Sequence, residues 1–218
     1  MDEKIGLLTI GQSPRSDMTP EMKALLGPSV EFVEVGALDD LNENEIRQLS
    51  PDSNETTYIS RLRNRRSVKL SKSKLIPYLQ NQLSKVEEEV SSSIVVCTGS
   101  FPTLKNKKPI LFPDQVLKNV VQAVLGSGKL GLIVPLEEQR MQLLDKWGSI
   151  PVVAAAASPY EKADFEKPAL ELKEKGATIF VLDCMGYTNE HKQKVKSITG
   201  LPVILSRSIV ARIAAEMA

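Results

Sequence analysis

Lys129-Leu130-Gly131-Leu132-Ile133 repeats Lys4-Ile5-Gly6-Leu7-Leu8 almost position for position. In both halves an apolar, glycine-bearing run of strand length leads into a polar loop, a helix, a second β-rich run and a second helix. A third run then ends in a cysteine. These runs read Ile94-Val95-Val96-Cys97-Thr98-Gly99 and Phe180-Val181-Leu182-Asp183-Cys184-Met185-Gly186, and they hold the chain's two cysteines. Strand and helix alternating in this way, twice, restrict the chain to parallel-sheet α/β designs. The expected fold is α/β: two pseudo-duplicated Rossmann-like lobes with mostly parallel sheets flanked by helices. The lobes are expected at residues 1–127 and 128–218, with Gly126-Ser127-Gly128 as the linker.

Residues 39–73 interrupt the first half. A helix-compatible piece (42–49) ends before Pro51, and residues 56–63 and 66–70 then read as the arms of a β-hairpin inserted in the first lobe. The hairpin turns at Asn64-Arg65, and Asn64 is the residue better suited to a left-handed conformation. From Arg61 to Lys74 there are seven basic residues and no acidic one. That pattern fits a solvated hairpin whose charges discourage edge pairing. It fits equally an arm that lends one arginine to an anionic substrate.

Elsewhere, helices are expected from Thr19 as N-cap to the Gly27-Pro28 stop, and over 75–90, where Leu75, Leu79, Leu83, Val86 and Val90 share one face. Others are expected from Asp114 as cap through 125, over 137–147 and 164–175, from Thr188 or Asn189 onward, and from Ser206 to 217.

Composition removes several classes of function. A net charge of +1 supplies no field to recruit nucleic acid or an anionic membrane, and 5% aromatic residues make a poor stacking platform for single strands. No apolar stretch reaches the length of a membrane span, and the acidic opening Met1-Asp2-Glu3-Lys4 is unlike a signal peptide. A cytoplasmic location with reduced thiols is the resulting expectation. The single histidine, His191, sits in a polar helix and reads as a surface residue. With no C-x-x-C spacing beside it, no metal site is expected. Gly126-Ser127-Gly128 precedes a strand where a dinucleotide fingerprint would follow one. Ser13 and Ser100 have no histidine partner for a hydrolase triad. No cofactor is expected.

A lone cysteine on an apolar run is ordinarily an inert core residue. Two cysteines at equivalent strand ends, each before a glycine turn, point instead to chemistry. Moving a proton at a carbon beside a carboxylate, without a cofactor, needs a thiolate base and a thiol acid. Cys97 and Cys184 are therefore the expected catalytic pair, opposed in the inter-lobe cleft. The loops after the strands offer substrate-binding candidates: Gln12, Ser13 and Arg15; Thr98, Gly99 and Ser100; Ser158 and Tyr160; Gly186 and Tyr187. Arg140, inside a helix, reads as a surface side chain. The expected partner is a small carboxylate-containing ligand, with no nucleic acid and no membrane, and a homodimer is left open.

Several of these segments resemble the signatures of the AroM family. They are Ile10-Gly11-Gln12-Ser13-Pro14-Arg15-Ser16-Asp17, Gly36-Ala37-Leu38-Asp39, Arg61-Leu62-Arg63, Cys97-Thr98-Gly99-Ser100-Phe101-Pro102, Ala157-Ser158-Pro159-Tyr160 and Asp183-Cys184-Met185-Gly186-Tyr187. The resemblance covers essentially the whole chain and by itself implies no particular reaction. More distantly, the plan is similar to the aspartate/glutamate racemase superfamily, with its hydantoin racemases, maleate isomerases and arylmalonate decarboxylases. That similarity implies a racemase-like fold, Cys97 and Cys184 as acid/base or nucleophile, and Ser13, Thr98 and Tyr187 lining the pocket. Three local differences stand out. The hairpin turns at Asn64-Arg65 where the AroM pattern has Asp-Gly. Cys97 is followed by Thr-Gly where the racemases have Asn-Thr, and Cys184 by Met-Gly-Tyr where they have Thr-His.

Three functions follow as expectations. The first is a cofactor-independent racemase or isomerase of a small carboxylate. The second is a non-catalytic ligand-binding or regulatory protein, and the third a decarboxylase or lyase that uses one cysteine.

Overall fold

The computed structural model describes residues 3–218, so Met1 and Asp2 of the acidic opening lie outside the described residues. The chain gathers into two compact units. The first runs through Pro113 and is rejoined by Ala211–Ala218; the second is Asp114–Val210. The sequence reading changed unit after Ser127, whereas this grouping assigns the helix before that linker to the second unit.

The first unit contains β1 (Glu3–Thr9), α1 (Thr19–Leu26), β2 (Val30–Gly36), α2 (Glu43–Gln48), β3 (Thr57–Arg61), β4 (Ser67–Ser71), α3 (Lys72–Val86), β5 (Ser92–Val96) and β6 (Ile110–Leu111). Its sheet has the order β2-β1-β5-β6, all parallel. The second unit holds α4 (Pro113–Val124, Pro113 apart), β7 (Leu130–Val134), α5 (Gln139–Gln142), a 3-10 turn (Asp145–Trp147), β8 (Val152–Ala156), α6 (Glu166–Glu174), β9 (Ile179–Leu182), α7 (Asn189–Thr199) and β10 (Val203–Leu205). Helix α8 (Ser206–Met217) belongs to the second unit through Val210 and to the first thereafter. The second sheet, read β8-β7-β9-β10, is again parallel and repeats the order of the first.

The duplication extends to the register. Gly6 of β1 lies between Val33 and Ser93, and Gly131 of β7 lies between Val153 and Phe180. Each cysteine stands four residues beyond its unit's partner of that glycine, Cys97 after Ser93 and Cys184 after Phe180. The two thiols therefore occupy one position of one design.

Burial explains why these runs form strands. All five residues of β5 and of β7 are buried, Ser92 and Ser93 of β5 included, as strands of a parallel sheet covered on both faces must be. In the first unit, Leu75, Leu79 and Leu83 of α3 are fully buried on the face that packs on Leu8 and Val95. Each such side chain contributes about 1.5–3 kcal/mol of burial free energy. In the second unit Phe180, Leu182 and Leu172 form one core, and Leu132, Val181 and Trp147 another.

Some local expectations are corrected. Helix α1 has Met18 at its N-cap; Thr19 lies inside, its hydroxyl donating back to the Arg15 carbonyl. Helix α3 stops at Val86, short of Val90. The helix expected over 137–147 is divided into α5 and the 3-10 turn, which places Trp147 in the core. His191 is half-buried, not a surface residue. Its Nδ1 accepts from the Thr188 N–H at 3.1 Å, completing a capping box, and its ring stacks on Phe165 with centroids 4.8 Å apart.

The hairpin is present, pairing Thr57–Arg61 with Ser67–Ser71. Its left-handed residue is Arg65, at φ 66°, and not Asn64. Asn64 instead accepts the Arg66 N–H on its side-chain oxygen. A left-handed arginine costs roughly 1–2 kcal/mol relative to glycine there.

Candidate functional site

In each sheet the first and third strands are neighbours whose onward connections leave in opposite directions. The loops at the carboxyl ends of such a strand pair are where open α/β sheets receive ligands. The cysteines sit there, one per unit.

The two thiol environments match in three respects. The Gly99 N–H donates to Cys97 Sγ at 3.3 Å, and the Gly186 N–H donates to Cys184 Sγ at 3.4 Å. Each glycine lies so close to a tyrosine that a side chain there would have to displace it. A Cβ on Gly99 would stand 2.4 Å from Tyr58, and one on Gly186 would stand 2.6 Å from Tyr160. Both cysteines are partly exposed, while the glycines are buried. A backbone N–H aimed at sulfur favours the thiolate over the thiol. The tyrosines arrive by different routes, Tyr58 on the inserted strand β3 and Tyr160 on the short loop after β8.

The surroundings then diverge. Cys184 follows Asp183, whose fully buried carboxylate is held by Lys146 Nζ at 2.7 and 2.6 Å. The buried Arg207 of α8 donates to the carbonyls of Met185 and Gly186. The Tyr160 hydroxyl lies 3.9 Å from the Cys184 sulfur. Cys97 follows Val96, and its tyrosine, Tyr58, turns its hydroxyl to the Ser100 carbonyl at 3.2 Å.

The remaining sequence candidates fall into two groups. Thr98, Ser100 and Ser158 lie in the thiol-bearing loops or the loop that carries Tyr160, with Ser158 Oγ accepting the Tyr160 N–H. Gln12, Ser13 and Arg15 are engaged in building the loop after β1. Ser13 donates both its N–H and its hydroxyl to Asp39, at 2.7 and 2.6 Å, and Gln12 bridges the Leu38 carbonyl and the Arg63 N–H. Arg15, 4% exposed, binds Asp17 bidentately at 2.8 Å and reaches Thr9 and Ser60. Arg140 donates to the Ala154 carbonyl and pairs with Glu137.

Tyr187 is fully buried, and its hydroxyl donates to the Ala157 carbonyl at 2.7 Å, tying the cysteine loop to the loop that carries Tyr160. Burial, reinforced by the charges of Cys184, Asp183 and Tyr160, holds its hydroxyl pKa well above 10. A folded-state pKa raised above the unfolded value of about 10 gives stability that is present below pH 10 and lost as pH rises further. In an ultraviolet titration one of the four tyrosines should therefore ionise only together with base-induced unfolding. Four phenolates formed in the folded protein would contradict this.

Sequence reasoning missed Asp39, Arg63, Tyr58, Lys146 and Arg207 as residues of these sites. Asp39 gathers the N–H groups of Ser13 and Gly36, the Ser13 hydroxyl and the Arg63 guanidinium on one carboxylate. Its place in the Gly36-Ala37-Leu38-Asp39 segment was the available signal.

A family model described as AroM protein matches residues 5–218. The chain belongs to the AroM family. A sequence comparison with curated proteins finds no match. Among solved structures, the AroM chain is similar to unliganded arylmalonate decarboxylase (14% identity, TM-score 0.60), covering 99% of this chain and 91% of that one. It is also similar to maleate isomerase from Pseudomonas putida (12%, TM-score 0.59, 99% and 92%) and to glutamate racemase from Bacillus anthracis (13%, TM-score 0.62, 99% and 81%). At these identities the likeness shows the fold alone, an aspartate/glutamate racemase-like one, for this AroM-family chain. Among its described residues no helix is long and apolar enough to cross a membrane.

Proposed function

We propose that this AroM-family protein is a cofactor-independent racemase or isomerase of a small carboxylate, with Cys97 and Cys184 as its acid/base pair. The observation that carries this reading is the duplicated thiol environment: same register, same glycine N–H on sulfur, same tyrosine against the glycine. A structural cysteine needs none of these, and their recurrence in both units matches a reaction that uses two thiols.

In the proposed step one thiolate takes the proton from the carbon beside the carboxylate, forming an S–H bond. The C–H electron pair moves into the carboxylate as an enediolate. The other thiol then returns a proton to that carbon and becomes the thiolate, so the two sulfurs exchange protonation states. Thr98, Ser100 and Ser158, with the backbone amides beside them, hold the substrate carboxylate. Ser13 and Arg15 shape the loop, because their polar atoms are already engaged.

The test is deuterium incorporation at carbon, followed by NMR for a panel of small carboxylates in heavy water. Wild-type protein should exchange at least one of them, and Cys97→Ala and Cys184→Ala should each slow that exchange by about 10²-fold or more. Loss in only one variant would indicate a single-cysteine decarboxylase or lyase, a reading that the acidic neighbour of Cys184 alone makes specific. No exchange with any compound, together with unchanged ligand binding in both variants, would sink the proposal in favour of a non-catalytic binding protein.

A further inference from the structure

The inserted hairpin does more than carry Tyr58. Between its turn and the loop after β1 lies a cavity of about 240 Å³, lined by Arg15, Arg61, Arg63 and Arg65 against one carboxylate, Asp17. The whole chain carries a net charge of only +1, so this concentration of guanidinium groups is a local arrangement and not a consequence of composition. We propose that the cavity binds a phosphoryl dianion, supplied either by inorganic phosphate or by the phosphate monoester of a small molecule.

Two of the arginines are fixed before any ligand arrives. Arg15 is buried and bidentate to Asp17. Arg63 donates to the Ser13 carbonyl at 2.6 Å and to Asp39 at 2.8 Å. Walls held in this way reduce the ordering cost of binding. The Arg61 carbonyl accepts the Gln12 N–H, which fastens the hairpin to the loop and sets the width of the cavity.

Arg65 supplies the second line of argument. It occupies the left-handed position of the turn, at φ 66°, although Asn64, which tolerates that conformation better, stands next to it. Turn geometry gives no reason for a long cation at that point. A ligand charge does.

Arg15 stays in the wall, its donors taken by Asp17, Thr9 and Ser60. The guanidinium groups of Arg61, Arg63 and Arg65, from the strand end and the turn, suit a tetrahedral group with three peripheral oxygens and two charges. A planar carboxylate, read along one bidentate edge, makes less use of them. The volume, about 240 Å³, admits a small phosphate ester. The second unit has no hairpin, so the cavity lies outside the duplicated thiol design. The proposal therefore does not depend on the thiol chemistry.

Calorimetric titration of the full chain at constant ionic strength tests it, with inorganic phosphate, glycerol phosphate and succinate as probes. Saturable binding of phosphate or of the monoester is expected, with succinate weaker than either. The tighter of the two phosphoryl probes then identifies the source of the dianion. Arg65→Gly removes the charge and relieves the turn, so it should weaken that binding about tenfold while melting no lower than wild type without ligand. Arg61→Gln should also weaken it. Three outcomes overturn the proposal: no saturable phosphoryl binding, succinate binding as tightly as phosphate, or undiminished binding in Arg65→Gly.

Discussion

Lys146→Met is expected to destabilise the protein by about 3–5 kcal/mol, because it strands a carboxylate with no exposed surface. The Asp183 side chain is 0% exposed and the Lys146 side chain 11%, and the ammonium reaches both carboxylate oxygens within 2.7 Å. Removing the lysine leaves the desolvation of Asp183 in place and takes away its compensation. Lys146→Met/Asp183→Asn should recover at least half of the loss, since the pair as a unit contributes little net stability. Urea unfolding of the two single variants and the double variant measures the coupling. Additive losses would show that the pair is not the source of the effect. A chemical readout accompanies the stability change. With Lys146 gone, the Asp183 charge acts on its neighbour Cys184 without its counter-ion, which disfavours the thiolate. Alkylation of Cys184 by iodoacetamide should slow relative to that of Cys97 in the same molecule.

Gly99→Ala should cost about 1–3 kcal/mol, and Gly186→Ala clearly less. Neither glycine has a positive φ, so the cost is steric, not conformational. The new methyl at position 99 would meet the Tyr58 ring at 2.4 Å. Tyr58 is 3% exposed, packs on Phe101 with ring centroids 5.4 Å apart, and is fixed by its hydrogen bond to Ser100. It cannot withdraw without opening the core under the hairpin. Tyr160 is half-buried on a loop and can swing away from a methyl at position 186. There the loss should appear in the reactivity of Cys184, which gives up its contact with the Tyr160 hydroxyl. Equal unfolding costs for the two variants would refute the distinction between a buried and a yielding tyrosine.

The framework was readable in the sequence because its signals are local. A glycine in an apolar run, followed by a β-rich run and then a cysteine run, marks three adjacent strands, and the registers put Cys97 and Cys184 in equivalent places. The partners of those thiols were not readable, because tertiary structure brings them in from afar. Tyr58 reaches Gly99, and Lys146 reaches Asp183, from about forty residues away in sequence, and nothing local to Tyr58 or Lys146 announces the destination. Arg15 looked like a substrate ligand because a cation in a polar loop carries no sign of its own counter-ion, yet Asp17 stood two residues on. The hairpin's turn at Asn64-Arg65 was legible, but which of the two residues is left-handed was not, for a related reason. Propensity favours Asn64 for the left-handed position, but its side chain caps Arg66 and shifts that position to Arg65.

Helix α8 is shared between the two units, and this decides where damage to it would register. Asp114–Val210 forms its unit from one continuous stretch of chain, whereas the first unit is discontinuous and includes Ala211–Ala218. A cut after Val210 would leave every residue of the second unit in place. The same cut would take eight residues from the first, among them the buried Ala211 and Ala214. One continuous helix thus lets a single lesion be felt about a hundred residues away in sequence, in the unit that opens the chain.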